Sequence, residues 1–273
     1  MRSRLVAVLL ILGLTIGYAG LTLAADTGRV APVLDRILAK KELVVGMAAD
    51  MPPLNMTKKD GQIIRIEPDL ARLLAGTMNV KLTLKPIAFP DLLMALEAGQ
   101  VDLVLSGMTM TPERNTRVAF AGPYFASGKS ILTNIESIAR ISDASQINAP
   151  TTTLVALKGS TSQFFAEQVL PKAKLVLADS YDQAVAMLLD HKVQAMVADY
   201  PICEVSAVRY QDKGLVTLDK PLSYEPIGAA LSPNDPLLLN LVQNFFNSLD
   251  VGGQLKGAAQ KWFGDTSWLK DIR

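Results

Sequence analysis

The sequence is nearly without cysteine and histidine, with one of each, Cys203 and His191. A single thiol excludes an intrachain disulfide and a cysteine-built zinc cluster, and a single imidazole excludes multi-histidine metal sites. That histidine stands in Leu189-Asp190-His191-Lys192, which reads as a solvated turn at a helix end. Cys203 follows Pro201-Ile202 and reads as a small buried apolar residue rather than a nucleophile. An excess of charge is missing too: 27 Lys+Arg face 26 Asp+Glu, so nothing draws the chain electrostatically to nucleic acid. No Gly-x-Ser-x-Gly elbow occurs. Gly122-Pro123-Tyr124-Phe125-Ala126-Ser127-Gly128-Lys129-Ser130 places five residues between its glycines where a phosphate-binding loop requires four. Pro123 and two aromatics also replace the flexible turn of such a loop.

What is present is an ordinary globular balance, 49% hydrophobic and 19% charged over 273 residues. Arg2 and Arg4 precede an apolar stretch from Leu5 to Tyr18, and Thr22-Leu23-Ala24 supplies a small-x-Ala cleavage site. Residues 1–24 therefore read as a secretory signal peptide. The alternative, a retained anchor, needs roughly 20 apolar residues, more than this run holds. No cysteine follows the cleavage region, so a lipoprotein is not expected. Removal of the leader takes Arg2 and Arg4 with it and leaves acids narrowly ahead of bases. No later apolar run reaches a membrane span, and a mature chain of about 250 residues suggests two lobes rather than one core.

Leu43 to Met47 reads as a buried strand. Pro68 at a first helical position opens a helix with Leu70, Leu73, Leu74 and Met78 on one face. Val80 to Leu84 is a second strand, Pro90 opens a helix with Leu92, Leu93 and Leu96 inward, and Val101 to Leu105 is a third strand. The pattern restarts with strands at Thr153 to Leu157, Lys174 to Leu177 and Gln194 to Ala198, separated by helices from Ser162 and from Tyr181. Ala98-Gly99-Gln100-Val101 and Asp190-His191-Lys192-Val193 share one helix-stop, turn and strand pattern across the halves. An apolar strand, Ile227 to Leu231, a long helix broken at Gly252-Gly253 and a closing helix ending in Trp262-Phe263-Gly264 complete the chain, the aromatics reading as core. This is α/β, two lobes of mostly parallel sheet.

In such folds ligands sit beyond the carboxyl ends of the strands. One such end is Ser106 to Arg114, where glycine allows close approach, hydroxyls donate, and the Arg114 guanidinium can grip a carboxylate through two parallel bonds. Gly159-Ser160-Thr161-Ser162 ends another strand and opens a helix, whose free N–H groups favour an anion. Asp199 ends a third, where it can pair with an ammonium. Together these are the groups that the two charges of an α-amino acid require. Taken singly, each also fits a plainer role as a surface ion pair, a helix cap or a turn residue.

From Leu43 to Gly264 the chain resembles the periplasmic solute-binding proteins of the polar amino-acid-uptake family, bacterial extracellular solute-binding proteins of family 3. The resemblance rests on Leu43-Val44-Val45-Gly46, Met51-Pro52-Pro53-Leu54, Asp69-Leu70-Ala71, Ala95 to Asp102, Phe120 to Gly128, Lys158-Gly159-Ser160-Thr161 and Lys261 to Gly264. The most specific part is Ser106-Gly107-Met108-Thr109-Met110-Thr111-Pro112-Glu113-Arg114. The resemblance implies a two-lobed fold of the type II periplasmic-binding class, crossed twice, near Ser127 to Leu132 and Asp219 to Tyr224. Lobe 1 would be 40–128 plus 224–273 and lobe 2 129–223. It implies a periplasmic monomer that delivers an amino acid to a membrane ABC permease, with no cofactor and no catalytic residue. The family's carboxylate grip maps onto Arg114, Thr109 and Thr161, and its ammonium partner onto Asp199. Gly107 supplies a backbone contact, Phe89 an apolar wall, and Met51 the opposing wall. Lys158 and Ala198 lie within reach of the ligand side chain.

Departures narrow the ligand. Ala48 stands where binders of basic amino acids often carry an acid, and Met51 and Leu54 replace frequent aromatics, which points to a neutral or apolar amino acid. Arg65 departs from a usual Gly-Phe-Asp-type segment and reads as solvated. Two alternatives stay open: a sensory binder with a separate signalling partner, and an exported enzyme resembling cyclohexadienyl dehydratases, for which Glu204 is the candidate proton donor.

Overall fold

The computed structural model describes residues 30–141, 143–264 and 267–270. The expected leader, 1–24, lies outside these residues.

Among the described residues thirteen strands follow in chain order. They are β1 (Glu42–Met47), β2 (Asp50–Met51), β3 (Asn55–Thr57), β4 (Ile63–Ile64), β5 (Lys81–Pro86), β6 (Leu103–Val104) and β7 (Ala119–Ser127). The remainder are β8 (Lys129–Thr133), β9 (Thr153–Leu157), β10 (Lys174–Ala178), β11 (Ala195–Asp199), β12 (Val216–Thr217) and β13 (Glu225–Leu231). One sheet has the order β5-β1-β6-β13-β7, a second β10-β9-β11-β8-β12, and a small third β2-β3-β4. In the first, β1 runs parallel to β5 and β6 while β13 runs against β6 and β7. In the second, β9 runs parallel to β10 and β11 while β8 runs against β11 and β12. The two sheets thus repeat one plan, three parallel strands with antiparallel neighbours at one side, which makes the chain a two-lobed α/β protein.

Apolar runs explain the central strands. The whole of β11 and all but the first residue of β9 are buried, as strands covered on both faces must be. The helix Tyr181–Leu189 buries Tyr181, Ala184, Val185 and Leu188, a one-face stripe, and Ser180 caps it by accepting from the Gln183 N–H. One apolar cluster packs the first sheet against the helices Pro32–Lys40, Ile66–Thr77 and Pro236–Val251. Another joins Phe89, Val104 and Met108 to Leu132, Leu157, Tyr181 and Met196, so apolar packing is continuous between the sheets.

Three expectations change. The helix placed at Pro68 begins at Ile66, and its stripe of Ile66, Leu70, Ala71 and Leu74 leaves Leu73 53% exposed, one position off the buried face. Arg65, expected in solvent, is buried, and its guanidinium lies 3.3 Å from the Trp268 ring centroid. A flat, weakly hydrated cation can stack on an aromatic face where an ammonium would keep its water. Phe120 to Gly128, read only as a motif, supplies most of β7. Trp262 and Phe263 fall on the helix Gln254–Gly264, with side chains outside the described part of the chain.

The chain leaves the first sheet at Ser127, enters the second at Lys129, and returns to the first at Glu225. Gly128 is the step between. A Cβ built there would lie 1.9 Å from the Ser223 carbonyl oxygen, so the outgoing and returning segments touch backbone to backbone.

Candidate functional site

The strand ends of the two sheets converge on one cleft. After β6 the backbone turns at Gly107, with φ of 57°. Its N–H donates to the buried Glu67 carboxylate at 2.6 Å, which also accepts from the Tyr124 hydroxyl and from Asn55. Met51 packs over the turn, its Cε 2.7 Å from where a Gly107 Cβ would stand, and Ser106 donates its hydroxyl to the Met51 sulfur at 3.3 Å. Burial pushes the Glu67 carboxyl up, against the three donors that draw it down. The Gly107 N–H is thus spent on Glu67.

Beyond the turn, Thr109 is buried against β13, and Thr111 caps the short helix Pro112–Asn115 through the Arg114 N–H. The Arg114 guanidinium donates to the Thr109 carbonyl at 2.9 Å and, across the cleft, to the Gly159 carbonyl at 3.1 Å. Its group lies 5.8 Å from the Phe89 ring centroid. A cavity of about 670 Å³ opens here, lined from the first sheet's side by Phe89, Leu93, Met108 and Arg114 and from the second's by Gly159 and Thr161. Ser160, by accepting from the Gln163 N–H, caps the helix Thr161–Val169 that opens on this cavity. Burial lowers the Arg114 pKa from its ordinary value, while the carboxylates of Asp199 and Glu225 pull the other way.

Asp199 is buried at the end of β11, as expected, but it is not alone. Lys129, its partner in the antiparallel register of β8 and β11, brings its ammonium to 2.5 Å from Asp199 Oδ1 and 3.0 Å from Glu225 Oε2. Glu225 Oε2 also accepts from Thr161 at 2.8 Å and Thr109 at 3.0 Å, and the two hydroxyls lie 3.1 Å apart. Burial raises the Asp199 pKa, with Lys129 opposing it. Burial also pushes Glu225 up, but Lys129 and the threonine hydroxyls outweigh it and leave its pKa lowered.

The structure therefore brings together Arg114, Thr109, Thr161, Phe89 and Asp199, with Met51 and Gly107 one layer behind. Lys158 is exposed just before the segment that lines the cavity, and Ala198 is buried beside Asp199. Lys129 and Glu225 were missed. Their signal was a charged residue at the start of an apolar strand, Lys129 before Ile131-Leu132 and Glu225 before Ile227.

A further contact joins the two sides. Asp50 Oδ2 accepts from the Tyr181 N–H at 3.1 Å, at the start of the helix Tyr181–Leu189. Its other oxygen is buried with no hydrogen-bond partner, and burial pushes the carboxyl up to about 6. Glu204 lies elsewhere, on a pocket of about 400 Å³ lined also by Phe125, Gly128, Tyr200 and Tyr224. His191 is exposed, and Cys203 is fully buried with its thiol pushed up by that burial. Among the described residues no helix is long and apolar enough to cross a membrane, and no group of three His, Cys, Asp or Glu could hold a metal ion.

Residues 43–265 match the family described as bacterial extracellular solute-binding proteins, family 3. The cyclohexadienyl dehydratase of Pseudomonas aeruginosa is 26% identical over 84% of this chain and 85% of its own. The ABC transporter arginine-binding protein 1 of Escherichia coli K12 is 24% identical over 82% of this chain and 92% of its own. Among solved structures, an ancestral amino acid-binding protein described as a precursor of cyclohexadienyl dehydratase superposes with a TM-score of 0.77 at 33% identity, over 84% of this chain and 99% of that one.

Proposed function

Since the chain belongs to the bacterial extracellular solute-binding proteins of family 3, we propose that it captures a neutral or apolar amino acid between its lobes. In this reading the chain is exported by its leader, 1–24, and works as a monomer in the periplasm. It closes on the ligand and presents the closed form to a membrane ABC permease. Lobe 1 is 40–128 with 224–273, and lobe 2 is 129–223.

One observation carries the reading. A guanidinium, that of Arg114, lines a cavity between the lobes and meets carbonyl oxygens there, while two carboxylates stand within its electrostatic reach. A zwitterion's carboxylate takes Arg114 and the free N–H groups of the Thr161 helix, and its ammonium takes Asp199. Ligand and guanidinium together form parallel charge-assisted bonds, stronger than neutral ones. Phe89, Leu93 and Met108 offer an apolar wall to the side chain. Contacts from both lobes favour the closed state, and that differential affinity is what a capture protein requires.

The test is thermal unfolding of mature protein, refolded free of ligand, against the standard amino acids, prephenate and dicarboxylates. Ligand at 100 times its Kd adds about 2.7 kcal/mol, a shift of several degrees. A shift with one or a few neutral amino acids supports the reading, and silence to all amino acids refutes it.

The dehydratase relative favours a second reading, an exported enzyme that eliminates water and carbon dioxide from prephenate-like substrates. Such chemistry needs a proton donor in the cleft. Glu204 lines the other pocket, and Glu225, which does face Thr161 and Thr109, has a lowered pKa and holds its proton poorly. Absence of prephenate turnover by the parent ends this reading, and turnover by the parent supports it.

A further inference from the structure

Lys129 is fully buried between two carboxylates. Cross-strand register places it opposite Asp199 in the second sheet, and Glu225 reaches it from the first strand residue of the returning chain. The ammonium takes one oxygen of each, Asp199 Oδ1 and Glu225 Oε2. This cluster sets one ammonium against two carboxyl groups. Arg114, the neighbouring cation, is directed instead to the carbonyls of Thr109 and Gly159. Its charge reaches both carboxylates, but no N–H of its guanidinium is directed to them, so the hydrogen-bonded cluster itself holds one ammonium for two carboxyl groups.

We propose that Lys129 sets the charge selectivity of the amino-acid site. By cancelling one of the two carboxylates it leaves a single negative charge, enough for an α-ammonium, and it refuses a ligand that carries a second cationic group. Glu225 adds its charge beside Asp199, its Oε1 accepting from the Ser223 hydroxyl at 3.4 Å. The inference rests on the reading of this cleft as an amino-acid site. Its physical basis is that unbalanced charge in a buried site is costly. Burial holds the Asp199 pKa above its ordinary value, and an arriving ammonium adds positive charge beside it.

The experiment measures affinities of the parent, Lys129→Gln and Glu225→Gln for glutamine, leucine, phenylalanine, lysine and arginine by titration calorimetry, with unfolding midpoints as fold controls. Glutamine at position 129 keeps two donors between the carboxylates but no charge. The parent is expected to bind a neutral member of the panel and neither cation. Lys129→Gln is expected to gain lysine or arginine by about tenfold or more relative to that neutral ligand, and Glu225→Gln to lose the neutral ligand by about tenfold or more without gaining a cation. A parent that binds arginine or lysine as tightly as a neutral amino acid overturns the inference, as does an unchanged ranking in Lys129→Gln. If Lys129→Gln does not fold, Glu225→Gln decides from the other side of the count, and unchanged affinity there overturns it. Silence of folded parent and variants to the whole panel overturns the amino-acid reading itself, an outcome distinct from binding with unchanged ranking.

Discussion

Asp50 and Tyr181 join the two halves of the chain by one hydrogen bond, the Tyr181 N–H donating to Asp50 Oδ2 at 3.1 Å. The helix start favours an anion, yet burial wins: the carboxyl is pushed from 3.8 up to about 6. Asp182 adds repulsion.

A raised carboxyl pKa means that the folded chain holds this proton more tightly than the unfolded one. The resulting stability is full below the ordinary value of 3.8 and is lost as pH rises through about 6. At pH 7 the loss is on the order of 2–3 kcal/mol. Unfolding midpoints of the parent and Asp50→Asn, followed from pH 4.5 to 8, should separate as pH rises to about 6 and keep a constant gap above it, with the parent the less stable. Curves that already run parallel between pH 4.5 and 6 would falsify this.

Arg114→Ala is expected to keep its fold and lose ligand. Removing one member of a buried, hydrogen-bonded charge pair costs about 2–5 kcal/mol, roughly 30- to 4,000-fold in affinity. Calorimetry with whichever amino acid stabilises the parent reads this directly, and the same expectation holds for Asp199→Ala. In the latter, Lys129 and Glu225 remain paired with each other.

Glu67→Gln should weaken both stability and binding. The carboxylate satisfies the Gly107 N–H, the Tyr124 hydroxyl and the Asn55 amide, all donors. A carboxamide turns an NH₂ toward one of them and leaves a buried donor unmet, at about 1–3 kcal/mol. Denaturant titration gives the stability change, and unaltered midpoint and affinity together would remove Glu67 as the support of the Gly107 turn.

Gly107→Ala tests the turn itself. Its φ of 57° costs an L residue about 1–2 kcal/mol. The new Cβ also meets Met51 Cε at 2.7 Å and Leu54 Cδ1 at 3.1 Å, and the methionine tip can move aside. A loss of about 1–2 kcal/mol in denaturant titration is expected, with weaker binding because Thr109 and Arg114 follow on the same segment.

Much of this was legible in the residues. Apolar runs flanked by turn residues marked Thr153–Leu157, whose ends the structure reproduces, because a strand buried on both faces must be apolar throughout. Asp199 and Arg114 stood out as polar groups just past such runs. Lys129 and Glu225 did not, because their partners are 70 and 96 positions away in the chain and meet only through sheet pairing. Glu67 stands at a helix start, and its partners, Gly107 and Tyr124, come from other elements. Arg65 was misread for a related reason. Local pattern assigns charge to water, and only the folded chain supplies Trp268 as a face to lie on.

At Gly128 the outgoing chain has no side chain, and the Ser223 carbonyl fills that space. Two independent tethers would let the halves twist, slide and splay. Two tethers pressed together act as a single pivot, and sliding would drive backbone into backbone. Whatever opening the cleft undergoes is thereby reduced to rotation about one axis, so each half arrives at the other in register and little orientational freedom remains to be lost when a ligand is enclosed.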